Sequence, residues 1–320
     1  MKEVKRYLQR EFEDFEQVFN EAVKSQVSLL DKIMKYVVKS KGKQLRPMFV
    51  MLSAKICGDI NPITYRAASL IELLHTATLV HDDVVDDAYQ RRGFFSLNAL
   101  WKNKIAVLVG DYLLSKGLLL SLTNGDFRIL QILASAVKAM SEGELLQVEK
   151  ARRLDITEAV YFDIIKGKTA SLISSACAAG AFSAHQNEEH TQHMALFGEK
   201  IGIAFQIKDD LFDYGLEDVG KPTGNDIKEK KMTLPLIYTL QTCSSTTRKK
   251  IIRIFKQSET NEADVLYVIH EVKQAGGIQY AEKRMQQYTE EAIQALAIFP
   301  DEEPKFYMKK LIEYTIQRNH

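Results

Sequence analysis

Residues 75–93 read HTATLVHDDVVDDAYQRRG, and the rest of the chain is read outward from the Asp82, Asp83 and Asp86 set inside that stretch. On a helix, carboxylates three and four residues apart share one face and repel one another. A cation has to sit among them. Oxygen donors alone at this spacing suit Mg²⁺, a hard ion that keeps several waters and is shared between one or two carboxylates and substrate phosphates. The spacing recurs at Asp209, Asp210 and Asp213. A solvated acidic helix face explains one such cluster but strains to explain two. Stepping back from Asp86 by helical turns gives Asp82, Thr78 and His75, so one stripe passes from carboxylates to a hydroxyl and an imidazole.

The chain has 320 residues, 46% of them hydrophobic, enough to bury a large core. Formal net charge is +1 with both signs interspersed, which gives no broad field for nucleic acid or an anionic membrane. Cys57, Cys177 and Cys243 are far apart and without paired spacing, against a disulfide framework or a zinc site. The amino terminus is charged from Lys2 onward, unlike a signal peptide. No uninterrupted apolar run reaches the roughly 18 residues of a membrane span. Together these lead to the expectation of a cytoplasmic protein.

Apolar residues recur at three- and four-residue steps over 3–24, which predicts one amphipathic helix, and a second spans about 28–40. Pro47 opens a third, and Asn61-Pro62 caps a fourth. In that fourth helix the only ionisable side chains between Ala67 and Val80 are Glu72 and His75, so it should be buried in the middle of a bundle. After a loop at about 93–103, helices are expected near 104–122, 127–150, 155–165, 169–184 and 190–214. Beyond a charged, glycine-containing loop at 215–231, further helices run to about 317. No strand alternation or repeat stands out. The expectation is an all-α, single-domain helical bundle over 1–320, with two helices facing each other across a deep central cavity.

Gly198, Gly202, Gln206, Asp209 and Asp213 lie at four- and three-residue steps. Two mid-helix glycines cost about 1 kcal/mol each relative to Ala, tolerable where backbone or ligand approaches closely. Basic residues stand beside these motifs: Lys43 and Arg46, Arg91 and Arg92, Lys168, Lys208, Lys221 and Lys231. Singly, each reads as a solvated charge; as a set beside Gly, Pro and Asp turns they suit phosphate oxygens.

Five motifs in order resemble the trans-isoprenyl diphosphate synthases, and within them the long-chain all-trans (octaprenyl-type) polyprenyl synthases. They are Gly42-Lys43-x-x-Arg46-Pro47; His75-Thr76-x-Thr78-Leu79 before Asp82-Asp83-x-x-Asp86; Arg91-Arg92-Gly93; Gly167-Lys168-Thr169; and Phe205-Gln206-x-x-Asp209-Asp210-x-x-Asp213, followed by Gly220-Lys221-Pro222 and Lys231-x-Thr233-Leu234-Pro235. The resemblance covers about 41–236. It implies the isoprenoid synthase fold, usually as a homodimer, and a transferase that adds isopentenyl diphosphate to an allylic diphosphate such as farnesyl diphosphate, repeatedly. By the same resemblance, Lys43, Arg46, His75 and Arg92 hold isopentenyl diphosphate. Arg91, Lys168, Thr169, Gln206, Lys221 and Lys231 hold the allylic diphosphate. Asp82, Asp86 and Asp209 carry Mg²⁺, with Asp83, Asp210 and Asp213 in support; Asp82, Asp83, Asp86, Lys168, Gln206, Asp209 and Asp210 form the catalytic set.

Ala77, where short-chain members of the family carry an aromatic ring, is small here, as is Thr78, with Leu74 a turn deeper. The implied product is hexaprenyl or longer, with octaprenyl the single expectation, and its destination is membrane enzymes. Two departures from the family pattern are Phe94-Phe95-Ser96, where a Pro-Thr or Pro-Ser turn is common, and the extra Asp87. Rival readings are a short-chain farnesyl or geranylgeranyl synthase, a terpene cyclase, which normally lacks the isopentenyl-binding set, and a non-catalytic regulatory subunit, which tends to lose the aspartates.

Overall fold

Asn61 starts the helix that carries the first aspartate cluster. In this computed structural model, which describes residues 1–40, 42–91, 93–153, 156–215 and 224–317, Asn61 Oδ1 accepts from the Ile63 N–H at 2.9 Å. The Thr64 hydroxyl accepts in turn from the Asn61 N–H at 3.3 Å, and Pro62 takes the first helical position, where no N–H is needed. The helix runs Pro62–Val85 and is buried along most of its length, as its nearly charge-free sequence requires. It ends at Asp86, whose N–H returns to the Asp82 carbonyl at 2.8 Å.

The chain groups into two compact units, each assembled from separated stretches. The first comprises Met1–Val137, Leu172–Ala195 and Ile298–Lys310. Here the Pro62–Val85 helix packs chiefly on the Leu97–Asn124 helix, and also on Leu45–Cys57 and Gln9–Ala22. The Ser171–His185 helix approaches Leu45–Cys57 at Gly180, where a Cβ would stand 2.2 Å from the Val50 carbonyl oxygen. The uncharged Ala- and Ser-rich segment is thus a tightly packed core helix, as its composition suggests.

The second unit comprises Lys138–Ser171, Leu196–Ala297 and Leu311–His320. Its core is formed by Tyr161, Ile165, Ile207, Tyr214, Leu236 and Ile251 together with apolar faces of the Glu262–Gln274 and Gly277–Ala295 helices.

Four expectations need correction. The 3–24 helix is broken at Leu8, between Lys2–Tyr7 and Gln9–Ala22; the apolar period passes across the kink without interruption, so periodicity cannot see it. The 93–103 loop is mostly ordered structure. Gln90–Arg91 pairs with Phe94–Phe95 in a small antiparallel hairpin around Gly93, whose φ of 78° favours glycine. Ser96 then caps a helix from Leu97, kinked at Lys102 with φ 72° and ψ 157°. That kink shifts the phase of the apolar stripe. Third, the helices expected at 155–165 and 169–184 are joined by a π-helical turn, Lys166–Ala170. Finally, the Leu97–Asn124 helix is long and apolar enough, by length and composition, to cross a membrane. Asp111 and Lys116 interrupt its apolar residues, which is why a search for an uninterrupted run passes it by.

Candidate functional site

In the first unit Asp82 and Asp86 are exposed at the carboxyl end of their helix, while Asp83 is buried. Arg91 Nε donates to Asp83 Oδ1 at 2.6 Å, and Asn98 Nδ2 donates to the Asp83 carbonyl at 3.1 Å. The middle carboxylate is therefore tied to the hairpin that follows the helix. Tyr36 reaches the same hairpin, its hydroxyl donating to the Phe95 carbonyl at 2.7 Å. Asp87 is exposed with φ 49°, consistent with a side chain turned to solvent.

At the second position of the Leu45–Cys57 helix, Arg46 Nη1 stands 2.9 Å from His75 Nε2. Lys43 lies just before this helix and is exposed. Beside the pair is a pocket of about 80 Å³ whose walls include Gly42, Glu72, His75, Thr76, Asp83 and Arg91. Of the residues expected to hold isopentenyl diphosphate, Arg46 and His75 are thus brought together, and Arg92 lies outside the described residues. Thr78 turns its hydroxyl to the His75 carbonyl at 2.9 Å. Ala77 and Leu74 are buried, and neither lines this pocket. His81 lies over Gly110, where a Cβ would meet its ring at 2.1 Å, a packing role.

In the second unit the π-helical turn presents Lys168 and Thr169. Lys168 Nζ is paired with Glu144 and lies 3.4 Å from Gln147 Oε1. The Thr169 hydroxyl donates to Gln206 Oε1 at 2.8 Å, and Gln206 Nε2 donates to Asp210 Oδ1 at 2.9 Å. Tyr161 supplies the donor for Asp210 Oδ2 at 2.7 Å. Asp213 caps the next turn: its oxygens accept from the Asn225 N–H at 2.7 Å and the Asp226 N–H at 3.1 Å.

Burial pushes the Asp210 carboxyl up to about 7, against the pull of its Tyr161 and Gln206 donors. Burial, and then Asp226, push Asp213 up to about 6. Burial works to lower Lys231, but Glu229 and Asp226 together hold its ammonium above the ordinary value. The salt bridge from Lys231 to Glu229 is 2.5 Å long. Lys208 places its ammonium over the Phe212 ring at 4.8 Å. Lys221 lies outside the described residues.

Of the two mid-helix glycines, Gly202 is explained by backbone approach. A Cβ on Gly202 would stand 2.6 Å from Ala170 Cα, and one on Gly167 would stand 2.8 Å from the Ala139 carbonyl. The sequence offered no pattern for Tyr161 or Glu144 as neighbours of the motifs; Gly143, inside a helix and 2.9 Å (from an added Cβ) from the Lys168 nitrogen, was the available clue.

The donor chemistry fits a hard divalent cation. Asp82 and Asp86 project at a helix carboxyl end, where the macrodipole favours positive charge, and Asp209 is half-buried. Among the described residues no three His, Cys, Asp or Glu side chains converge as a ready-made metal cage.

Comparison with known proteins gives a concordant picture. The family model described as Polyprenyl synthetase matches residues 27–272. The all-trans-nonaprenyl-diphosphate synthase (geranyl-diphosphate specific) of Rhodobacter capsulatus is 37% identical over 309 residues, covering 96% of this chain and 93% of that protein. Among solved structures, a decaprenyl diphosphate synthase from Rhodobacter capsulatus superposes with TM-score 0.94 at 33% identity, covering 100% of this chain and 99% of the other. A polyprenyl synthase from Caulobacter crescentus CB15, complexed with calcium and isoprenyl diphosphate, superposes with TM-score 0.91 at 30% identity, covering 99% and 97%.

Proposed function

The chain belongs to the polyprenyl synthetase family, and we propose that it is a Mg²⁺-dependent enzyme whose product reaches hexaprenyl length or beyond, with octaprenyl as the expected end point. It is a prenyltransferase that builds long-chain polyprenyl diphosphates. The observation that supports the metal reading is the division within each aspartate cluster. Asp83 and Asp210 are buried, whereas Asp82 and Asp86 are exposed and Asp209 is half-buried.

A bound divalent cation supplies charge neutralisation for the departing diphosphate and so favours ionisation of the allylic C–O bond. In this reading Asp82 and Asp86 of the first unit and Asp209 of the second are the residues that would carry such ions. Arg91, Lys168 and Lys231 carry positive charge for the diphosphate oxygens, and each is paired with a carboxylate. Thr169 and Gln206 orient the leaving oxygen. Arg46, set by its contact with His75, directs isopentenyl diphosphate together with Lys43 and Arg92. Its double bond attacks the allylic carbon, a proton passes to the released diphosphate, and the product is again an allylic diphosphate, five carbons longer. Each unit adds apolar surface worth about 3 to 4 kcal/mol at roughly 0.8 per CH₂, which favours retention between additions.

A homodimer is part of the proposal. Val107, Leu108, Leu118, Leu119 and Leu122 form one stripe on the Leu97–Asn124 helix and are between 40% and 57% exposed. A second copy of the chain covers such a stripe; light scattering of the purified protein reads the mass, and a monomer at micromolar concentration refutes this part.

Incubation with isopentenyl diphosphate, farnesyl diphosphate and Mg²⁺, followed by product chromatography, tests the whole reading. Extended products of 30 carbons or more support it. A 15- or 20-carbon end point selects a short-chain synthase, diphosphate release without isopentenyl diphosphate a cyclase, and silence a regulatory subunit.

A further inference from the structure

The second aspartate cluster is held by a closed chain of side chains. The buried Tyr161 hydroxyl donates to Asp210 Oδ2 at 2.7 Å, Gln206 Nε2 to Asp210 Oδ1 at 2.9 Å, and Thr169 Oγ1 to Gln206 Oε1 at 2.8 Å. Both ends of this chain return to one stretch, the Glu158–Ile165 helix and the π-helical turn that continues it. The backbone closes the same clasp where Gly202 meets Ala170. A buried carboxylate costs more than an apolar pair of the same shape unless its oxygens are satisfied. Tyr161 supplies a donor for Oδ2.

We propose that Tyr161 is a positioning residue for the transfer reaction. Buried and with each oxygen accepting a hydrogen bond, Asp210 is held in one orientation, and the neighbouring Asp209 and Gln206 are fixed with it. Supporting groups of this kind orient ligands without touching the ion. Asp210 then serves as an anchor and not as a metal ligand. The inference rests on the functional reading above, because it presumes that Asp209 meets a metal-bound diphosphate.

The test uses the full-length protein and reads binding as well as turnover. Mg²⁺ is titrated in the presence of inorganic pyrophosphate while the thermal unfolding midpoint is followed, and steady-state kinetics are run in parallel. In Tyr161→Phe the Mg²⁺ concentration for half-maximal stabilisation should rise about tenfold, with a similar rise in KM for the allylic substrate and less than a twofold change for isopentenyl diphosphate. Phe162→Leu is the structural control. Its ring centroid lies 5.3 Å from that of Tyr161 and 5.3 Å from that of Tyr288, so its loss should lower the unfolding midpoint without moving the Mg²⁺ dependence. An unmoved Mg²⁺ dependence in Tyr161→Phe, or an equal shift in Phe162→Leu, overturns the proposal. Should Tyr161→Phe not fold, Asp210→Asn decides. Asparagine still accepts from Tyr161 if Gln206 reverses its amide, so the Mg²⁺ dependence should stay within about threefold of wild type; a loss as large as that of Asp209→Asn makes Asp210 a ligand and refutes the anchor role. Wild-type protein run alongside separates the two levels. Wild type that fails to extend a chain sinks the functional reading and this inference with it, while active wild type with an unaffected Tyr161→Phe sinks the inference alone.

Discussion

Arg91 Nε lies 2.6 Å from Asp83 Oδ1, and the carboxylate it meets is buried while the guanidinium is partly open to solvent. The contact uses the Nε edge, so the terminal nitrogens remain geometrically suited to a second anion. Arg91→Ala should therefore act on substrate and on the hairpin together, costing about 1 to 3 kcal/mol for the unsatisfied Asp83. The expected kinetic signature is a larger rise in KM for the allylic diphosphate than for isopentenyl diphosphate, with the reverse for Arg92→Ala. Equal effects of Arg91→Ala on both constants would remove the division of labour between the adjacent arginines.

Metal dependence can be separated from folding because Asp82 is exposed. Surface substitutions of this kind usually change stability by no more than about 0.5 kcal/mol. Asp82→Ala should therefore keep the helical circular dichroism of wild type while losing several decades of activity, at about 1.4 kcal/mol per decade of rate, and Asp209→Ala should lose activity on the same scale. Chelation of divalent cations should abolish turnover in wild type, and added Mg²⁺ should restore it. A fully active Asp82→Ala enzyme would be incompatible with the assignment.

Gly202 supplies a prediction about packing. An added Cβ would lie 2.6 Å from Ala170 Cα and 2.9 Å from its Cβ, backbone that cannot swing away as a flexible side chain can. Gly202→Val should destabilise by about 1 to 3 kcal/mol through overpacking. It should also displace the π-helical turn that carries Lys168 and Thr169, lowering kcat/KM for the allylic substrate at temperatures where the protein is still folded. Denaturant unfolding and kinetics on one preparation measure both; wild-type values for both would mean that the contact relaxes freely.

The helices and the acidic clusters were legible because each is a repeating signal. Three- and four-residue spacing marks a face, and a nearly charge-free stretch such as 67–80 has no solvated side to offer. The broken places were not. At Leu8 the apolar period continues through the kink, and at Lys102 the backbone leaves helical geometry at a residue with no turn signature. The π-helical turn at Lys166–Ala170 differs from α-helix only in its hydrogen-bond register. Tyr161 is 49 residues from Asp210 in sequence, so nothing local announces their bond. Candidate ligands could be read from composition and spacing, but that Tyr161 and Gln206 hold Asp210 required coordinates.

Ala77 gives the sharpest test of product length. It is fully buried in the Pro62–Val85 helix, five residues before Asp82, with Leu74 buried nearly a turn below it. A chain growing away from the metal-bound end would pass Ala77 early, and a methyl group leaves room that a phenyl ring fills. The competing account is that Ala77 simply packs between helices. Ala77→Phe separates the two: core packing can absorb the ring at about 1 to 3 kcal/mol, whereas a tunnel cannot thread past it. The expected products are farnesyl or geranylgeranyl diphosphate, with the first condensation largely intact, read by chromatography of the dephosphorylated chains beside a thermal unfolding curve. A folded Ala77→Phe protein that still makes the wild-type chain length would show that the product does not pass this residue, and the long end point would then have to be set elsewhere on the apolar wall.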